Sequence, residues 1–233
     1  LKQNKLAMLG LIIIVFMGMD GSGKSTLSES LIDALQARDF QVTYTWWLEG
    51  ESTILRKIIR GGLRIWRKDE YKRPENVKSS RKVTVWNHLL QQVYPRLVLL
   101  DYLIFGIIKT RILKRREIRI FDRYYYDVIF ALSKEFQLSS SAQEHFLSIY
   151  KRFIPDPDLL FIFDIPPEVA YNRKREEFQT LEDAYNAWNT SKHVCEFVED
   201  NVNTCIVRID NSGEIEVSKR EIISATLRKL ETA

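Results

Sequence analysis

Glycines, a lysine and a serine near the start of the chain have the residue types and the spacing that bind phosphate. Residues 18–25 read Gly-Met-Asp-Gly-Ser-Gly-Lys-Ser, which matches the pattern G-x-x-x-x-G-K-[ST]. Glycines let successive backbone N–H groups turn towards an anion, Lys24 can reach the β- and γ-phosphates of a nucleotide, and the Ser25 hydroxyl can ligate Mg²⁺. The pattern predicts a nucleoside-triphosphate site made of Gly18, Gly21, Ser22, Gly23, Lys24, Ser25 and Thr26.

The segments on either side of this phosphate loop (residues 18–25) are those that such a site requires. Residues 11–17 form an unbroken apolar run rich in β-branched residues, which is typical of a strand buried on both faces of a parallel sheet. From Thr26 to Arg38, leucine and isoleucine recur at helical spacing, so we expect a helix whose positive N-terminus adds to the phosphate site. The alternative is a glycine-rich turn that carries a lysine by chance. Such a turn would require neither a buried strand before it nor a helix after it.

Strands and helices alternate along the rest of the chain. Further strands are predicted at 41–46, 117–121, 158–165 and 204–209. Helices are predicted at 54–66, 83–115 with a kink or break at Pro95, 127–136, 141–153, 166–177, 180–201 and 214–230. Thr180 and Asp183 have the spacing of an acidic capping box at the start of one of them. The alternation predicts an α/β fold, a three-layer sandwich around a parallel sheet.

Length and composition limit the domain organisation and the partners. The 233 residues suit one α/β domain over residues 11–233, preceded by an N-terminal extension at 1–10 that we expect to be poorly ordered. A net charge of +4 is not the dense basic surface of a nucleic-acid binder, and the first apolar run is short of the about 20 residues that span a membrane. Cys195 and Cys205 have neither disulfide nor zinc spacing, which indicates a reducing, cytoplasmic location.

Residues 97–108 read LVLLDYLIFGII and are apolar on nearly every face of a helix except at Asp101. A helix that is apolar all round is expected to be buried on all sides. Two arrangements achieve that burial: packing against a second copy of the chain, or a central position in the core. The sequence leaves both open.

Three later segments narrow the class of protein. They are FDRY at 121–124, PDPDLLFIFDIPPEVAYNRKRE at 155–176 and IVRIDNSGEIEV at 206–217. Together with the phosphate loop, and in this order, they resemble the thymidylate kinase family of nucleoside monophosphate kinases, whose members read like FEGxDGSGKST, SDRY, KPDLTLYLDVxPEVALxRxRxR and xVIDASGxxEEV. The resemblance extends from about Leu11 to the C-terminus. The N-K-x-D sequence of GTPases is not found at a suitable place.

The resemblance implies a five-stranded sheet of order 2-3-1-4-5 and a homodimer that acts on small-molecule nucleotides with ATP and Mg²⁺. The implied reaction moves the ATP γ-phosphoryl group to the 5′-phosphate of dTMP, giving dTDP and ADP. One alternative is a kinase of the same fold that acts on another nucleotide or on a nucleoside. Another is a regulatory module that binds a nucleotide and phosphorylates no small molecule.

The resemblance also implies roles for individual residues. Asp20 matches an acceptor-sugar contact, with a loop-stabilising Asx turn as its alternative. Asp122 would hold Mg²⁺ through water and Arg123 would clamp phosphoryl oxygens, the alternative being a structural ion pair. Arg173 and Arg175 match the arginines of a mobile lid, here at about residues 173–180, and would stabilise charge during transfer. Their alternative is a solvated helix face.

The acceptor side departs from the resembled pattern. Where the family commonly has Arg-Glu-Pro after the second strand, this chain has Trp46-Trp47-Leu48. We therefore expect an arginine from residues 56–64 to hold the acceptor phosphate. The family helix carries a phenylalanine four residues before an arginine, and both contact the base. Val98 and Tyr102 lie near those two positions, and the nearest arginine is Arg96, six residues before Tyr102. Because stacking on aromatic rings discriminates weakly, we expect loose base selectivity.

Overall fold

The computed structural model describes residues 10–47, 96–112, 117–135 and 138–232. The strands in these residues are β1 (Ile12–Gly18), β2 (Val42–Trp46), β3 (Ile118–Asp122), β4 (Leu159–Asp164) and β5 (Cys205–Asp210). The helices are α1 (Lys24–Gln36), α2 (residues 96–107, continued by a π-helical turn at Ile108–Ile112), α3 (Tyr125–Glu135), α4 (Ser140–Phe153), α5 (Pro167–Arg173), α6 (Leu181–Asn201) and α7 (Ile215–Thr232). None of these described helices is both long and apolar enough to cross a lipid bilayer.

The five strands form one parallel sheet in the order β2-β3-β1-β4-β5, which confirms the predicted α/β fold and strand order. β1 lies at the centre, and every one of its residues is buried. Its apolar run is explained by this position, because a central parallel strand has both faces covered. β1 and β3 are neighbours, and their register pairs Phe16 with Asp122.

Alternate residues of β1 point to opposite faces of the sheet, where different helices cover them. Ile12, Ile14 and Phe16 belong to a buried cluster with the leucines of α1 and with Ile222 and neighbouring residues of α7. On the other side, α6 contacts β1 and places Cys195 against β4. The sheet is thus the middle layer of three.

The chain divides into two compact units. Residues 1–47, 113–127 and 155–233 make up the first, which contains the whole sheet. The described part of the second consists of α2, most of α3, and α4. In this second unit Tyr150 of α4 donates a hydrogen bond to the Leu99 carbonyl of α2. The prediction of a single domain over residues 11–233 stays a prediction.

The expected burial of residues 97–108 on all sides is wrong for the chain by itself. Leu100, Ile104 and Ile108 are 48%, 47% and 40% exposed, whereas Leu99 and Leu103 are buried. Positions four apart share one side of a helix, so the exposed residues form a continuous apolar stripe. We call Leu100, Ile104 and Ile108 the α2 stripe.

The start of α6 and the end of α5 test the helix boundaries predicted near residue 175. The capping box of α6 is confirmed, because Thr180 and Asp183 bond reciprocally to each other's backbone N–H. By contrast, α5 ends at Arg173, so the prediction that this helix carries Arg175 and Glu177 is wrong. The backbone leaves helical geometry at Lys174, with φ −137° and ψ 60°, and residues 175–177 form a turn. Residues 1–9 of the predicted extension at 1–10, the predicted helix at 54–66 and the break expected at Pro95 lie outside the described residues.

Candidate active site

The phosphate loop joins the end of β1 to the start of α1. Gly23 occupies the N-cap position of α1 with φ 89°, and no side chain caps the helix there. The N–H groups of the first helical turn are therefore left to an anion rather than to a cap, as in other helix-terminal phosphate sites. Ser25 and Thr26 are exposed in this first turn, so both side chains can reach a ligand bound at the helix end.

Lys24 is held under the loop by the loop's own carbonyl groups. Its ammonium group donates to the Gly18 carbonyl at 3.0 Å and to the Met19 carbonyl at 2.8 Å, and the residue is 6% exposed. Burial lowers the pKa of Lys24, and the Arg123 guanidinium lowers it further, while neighbouring carboxylates such as Asp122 raise it. The loop therefore holds the Lys24 side chain in a fixed position at its backbone turn.

Asp122 is the last residue of β3, so it lies at the carboxyl edge of the sheet beside the phosphate loop. Its Oδ2 atom accepts a hydrogen bond from the hydroxyl of Tyr44 at 3.0 Å. Its Oδ1 atom is buried and has no hydrogen-bond partner in the part of the chain that the structure describes. Burial raises the pKa of Tyr44, and Asp122 raises it further, so the phenol stays a donor.

Arg123 connects three parts of the site. Its Nη2 atom lies 2.9 Å from Asp20 Oδ1, and its Nη1 atom lies 3.7 Å from Asp127 Oδ1. Its backbone has φ 65°, a left-handed conformation that costs a non-glycine residue about 1–2 kcal/mol. The bond from its N–H to the Phe16 carbonyl, 2.9 Å long, helps to hold that conformation. Burial acts to lower the pKa of Arg123, but Asp127 and Asp20 together raise it.

Asp127 is a buried acidic partner of Arg123. It is 8% exposed, and its Oδ2 atom accepts a hydrogen bond from the Tyr124 N–H at 3.0 Å. Burial raises the pKa of Asp127, and the Arg123 guanidinium opposes that rise. The carboxylate thus fixes the turn between β3 and α3 and supplies Arg123 with a buried partner.

The two arginines of the lid segment (residues 173–180) differ in their contacts. Arg173 donates from Nη2 to the main-chain carbonyl of Asn211 at 2.8 Å. Asn211 in turn donates from Nδ2 to the Ser22 carbonyl of the phosphate loop at 2.9 Å. Arg175 instead bonds to Asn172 at 3.1 Å, and its guanidinium lies 5.6 Å from the centre of the Tyr171 ring. Of these two arginines, only Arg173 is therefore joined to the phosphate loop through a chain of hydrogen bonds among the described residues.

The structure thus brings the phosphate loop together with Asp20, Asp122, Arg123 and Arg173. Tyr102 belongs to the second unit, where it is 3% exposed and close to Tyr150, so its contact with an acceptor stays a prediction. Trp47 is fully buried against Phe121 and Tyr124, so it belongs to the core. Sequence patterns did not single out Tyr44 as a site residue, because no motif marks a residue that acts through its neighbours.

A phosphate loop at the end of the central strand of a parallel 2-3-1-4-5 sheet defines the P-loop kinase fold. No model of a known protein family matches the chain. The thymidylate kinase of Leptospira borgpetersenii is 30% identical to it over 178 residues, covering 73% of this chain and 74% of that protein. A probable thymidylate kinase of Methanosphaera stadtmanae is 27% identical over 217 residues, or 93% and 98% of the two chains. The chain belongs to the thymidylate kinase family.

Proposed function

We propose that this protein is an ATP-dependent nucleoside monophosphate kinase that phosphorylates dTMP, giving dTDP and ADP. The observation that carries the proposal is the meeting of the phosphate loop with Asp122 and Arg123 at the carboxyl ends of adjacent strands. The family membership of the chain supports both the reaction and the acceptor. A module that only binds nucleotide has little need of Arg123 and Arg173 around the loop.

On the donor side, the residues act by placing positive charge around the phosphates of ATP. The loop residues, with Ser25 and Thr26 in the first turn of α1, surround the β- and γ-phosphates through backbone N–H groups. Lys24 provides an ammonium group that is already desolvated, so it does not need to shed water as charge develops. Its two carbonyl contacts set the side chain in place before the phosphates arrive.

The chemistry of the site also fits Mg²⁺. The buried Asp122 Oδ1 atom that lacks a partner among the described residues is a hard oxygen donor, as is the exposed Ser25 hydroxyl. We infer that Ser25 ligates the ion and that Asp122 holds it through water. Bound Mg²⁺ neutralises negative charge on the phosphates. The hydrogen bond from Tyr44 fixes the carboxylate so that Oδ1 keeps its direction.

Arginines supply the remaining charge stabilisation. In transfer, negative charge spreads over the equatorial oxygens of the moving phosphoryl group, and donors fixed around them lower the barrier. Arg123 is held by Asp20 and Asp127 and serves as the clamp on phosphoryl oxygens. The phosphate loop itself contains no arginine. Arg173 and Arg175 of the lid segment therefore supply this charge. On the acceptor side, we propose that Asp20 contacts the sugar, and the contact of Tyr102 with the base stays a prediction.

We further propose that the protein is a cytoplasmic homodimer. The support for a dimer is the α2 stripe, three large apolar side chains that are at least 40% exposed along one side of a helix. We propose that a second copy of the chain covers the stripe, because in a two-fold symmetric dimer the stripe of one copy packs against the same stripe of the other. Both cysteines of the chain are free thiols, which suits a reducing compartment.

The test is an assay that couples ADP release to an optical signal, run with dTMP, dUMP, dCMP and dGMP as acceptors. We expect turnover with dTMP and weaker turnover with dUMP as the second substrate. The Lys24→Ala variant is the control for contaminating kinases, because it leaves the fold but removes the charge at the phosphates. A protein that turns over none of the four monophosphates would refute the proposal.

A further inference from the structure

Asn211 is the point where the loop between β5 and α7 contacts the phosphate loop. The residue is 1% exposed, and its Nδ2 atom donates to the Ser22 carbonyl at 2.9 Å. A Cβ atom added to Gly23 would lie 2.3 Å from the same Nδ2 atom, so the amide sits directly on the backbone of Gly23. A side chain buried and bonded in this way cannot also turn outward to touch a nucleotide base.

The bond to the Ser22 carbonyl fixes a whole peptide group. The Ser22–Gly23 bond is trans, so the carbonyl of Ser22 and the N–H of Gly23 lie in one plane and point in opposite directions. Holding the carbonyl against Asn211 therefore directs the Gly23 N–H away from Asn211. With φ 89°, Gly23 has backbone freedom that a larger residue lacks, so this peptide needs an external partner to keep one orientation.

Asn211 is also joined to the lid segment. Its main-chain carbonyl accepts the hydrogen bond from Arg173, the last residue of α5. The same helix also packs closely on the phosphate loop, since a Cβ on Gly21 would lie 3.0 Å from the Ala170 carbonyl. The phosphate loop, α5 and Asn211 thus form a closed ring of contacts.

We propose that Asn211 is a positioning residue that orients the Gly23 N–H towards the phosphates of the bound nucleotide and seats Arg173 beside them. The inference rests on the proposed function, because it assumes that the loop binds a triphosphate. Asn211 does not touch the nucleotide. It acts through the Ser22–Gly23 peptide on one side and through Arg173 on the other.

The test uses two probes that separate phosphate binding from base binding: inorganic tripolyphosphate with Mg²⁺, and adenosine. Their Kd values are measured by calorimetry on the full chain for wild type, Asn211→Ala and Asn211→Leu. Leucine keeps the branched shape above Gly23 but cannot donate a hydrogen bond. Asn189→Ala, which removes an exposed amide from α6, is the matched control.

We expect both Asn211 variants to raise the Kd for tripolyphosphate about ten-fold, because a buried carbonyl loses its donor. The Kd for adenosine should change less than about two-fold. Equal weakening of both probes, or no weakening of tripolyphosphate binding, would overturn the inference. A wild-type protein that does not bind tripolyphosphate would overturn the proposed function itself.

A second measurement does not depend on the variants being folded. The chain has nine glycines, so ¹⁵N-glycine labelling gives a spectrum in which Gly23 can be assigned. Tripolyphosphate should shift the Gly23 amide proton of the wild type downfield and leave that of the exposed Gly213 in place. An unshifted Gly23 amide in a protein that binds tripolyphosphate would refute the inference.

Discussion

Replacing Tyr44 by phenylalanine removes one hydroxyl beside the site and changes little else. That hydroxyl donates to Asp122 Oδ2 at 3.0 Å, and Tyr44 is 40% exposed. Without the bond, the carboxylate can rotate and the Oδ1 atom loses its fixed direction. We expect Tyr44→Phe to lower kcat and to raise the Mg²⁺ concentration that gives half the maximal rate.

The size of the effect follows from the environment of the bond. A hydrogen bond to a charged group contributes about 1.5–3 kcal/mol when it is well shielded. Because Tyr44 is 40% exposed, water replaces part of that contribution, and we take about 1 kcal/mol. At about 1.4 kcal/mol per factor of ten, this corresponds to about a five-fold change in kcat and in the Mg²⁺ requirement.

Tyr185→Phe is a close control for this experiment. Tyr185 also donates its hydroxyl to a carboxylate, that of Glu168, and is 41% exposed, but the pair lies on α5 and α6 away from Asp122. Steady-state rates should be measured against Mg²⁺ at saturating ATP and dTMP, with Tm recorded for each variant. An unchanged Mg²⁺ requirement in Tyr44→Phe, or an equal change in Tyr185→Phe, would refute the positioning role of Tyr44.

Three further substitutions test other parts of the site and the assembly. Lys24→Ala should lower kcat by orders of magnitude with an unchanged circular dichroism spectrum, because the ammonium group stabilises charge that develops during transfer. Arg173→Ala should lower kcat more than it raises the KM for ATP, and by a larger factor than Arg175→Ala, because only Arg173 is linked to the phosphate loop. Ile104→Asp, in the α2 stripe, should convert a dimer into a folded monomer in sedimentation at micromolar concentration.

Each of these expectations has an outcome that contradicts it. Near wild-type turnover of Lys24→Ala would remove the basis of the phosphate site. Normal turnover of the Arg173, Arg175 double variant would make both arginines solvated surface charges. A monomeric wild type would refute the dimer, and an unfolded Ile104→Asp variant would favour a core role for α2. Leu181→Asp, an exposed apolar residue at the start of α6, is the control for added surface charge.

From the sequence alone, runs and regular recurrences of apolar residues predicted the sheet and most helix positions. The apolar run before Gly18 indicated a doubly buried strand, and the structure places β1 at the centre of the sheet. The burial of α2 was not predictable in the same way, because composition alone does not say which neighbours a helix has. The exposed Leu100 and Ile104 depend on packing of the whole unit rather than on the helix sequence.

In the candidate site, too, some residues could be found from the sequence and others could not. Lys24, Asp122 and Arg123 could be found because short motifs fix their places on a strand end or a helix start. Tyr44 could not be found in this way, nor could the bond from Asn211 to residue 22, because both depend on a partner far away in the chain; Tyr44 bonds to residue 122. Such pairs arise from the order of strands in the sheet, which no local pattern contains.

The central position of β1 also governs how the chain can fold while it is being made. Its hydrogen-bonding neighbours are β3 and β4, and β4 ends at Asp164. Translation adds about 5–20 residues per second, so β1 leaves the ribosome roughly 7–30 s before its second neighbour is complete. Both edges of this seven-residue apolar strand are unpaired until β3 is complete, and one edge stays unpaired until β4 is complete, so the strand is able to pair with other nascent chains. We therefore expect the yield of folded protein to rise when chaperones shield this strand during synthesis.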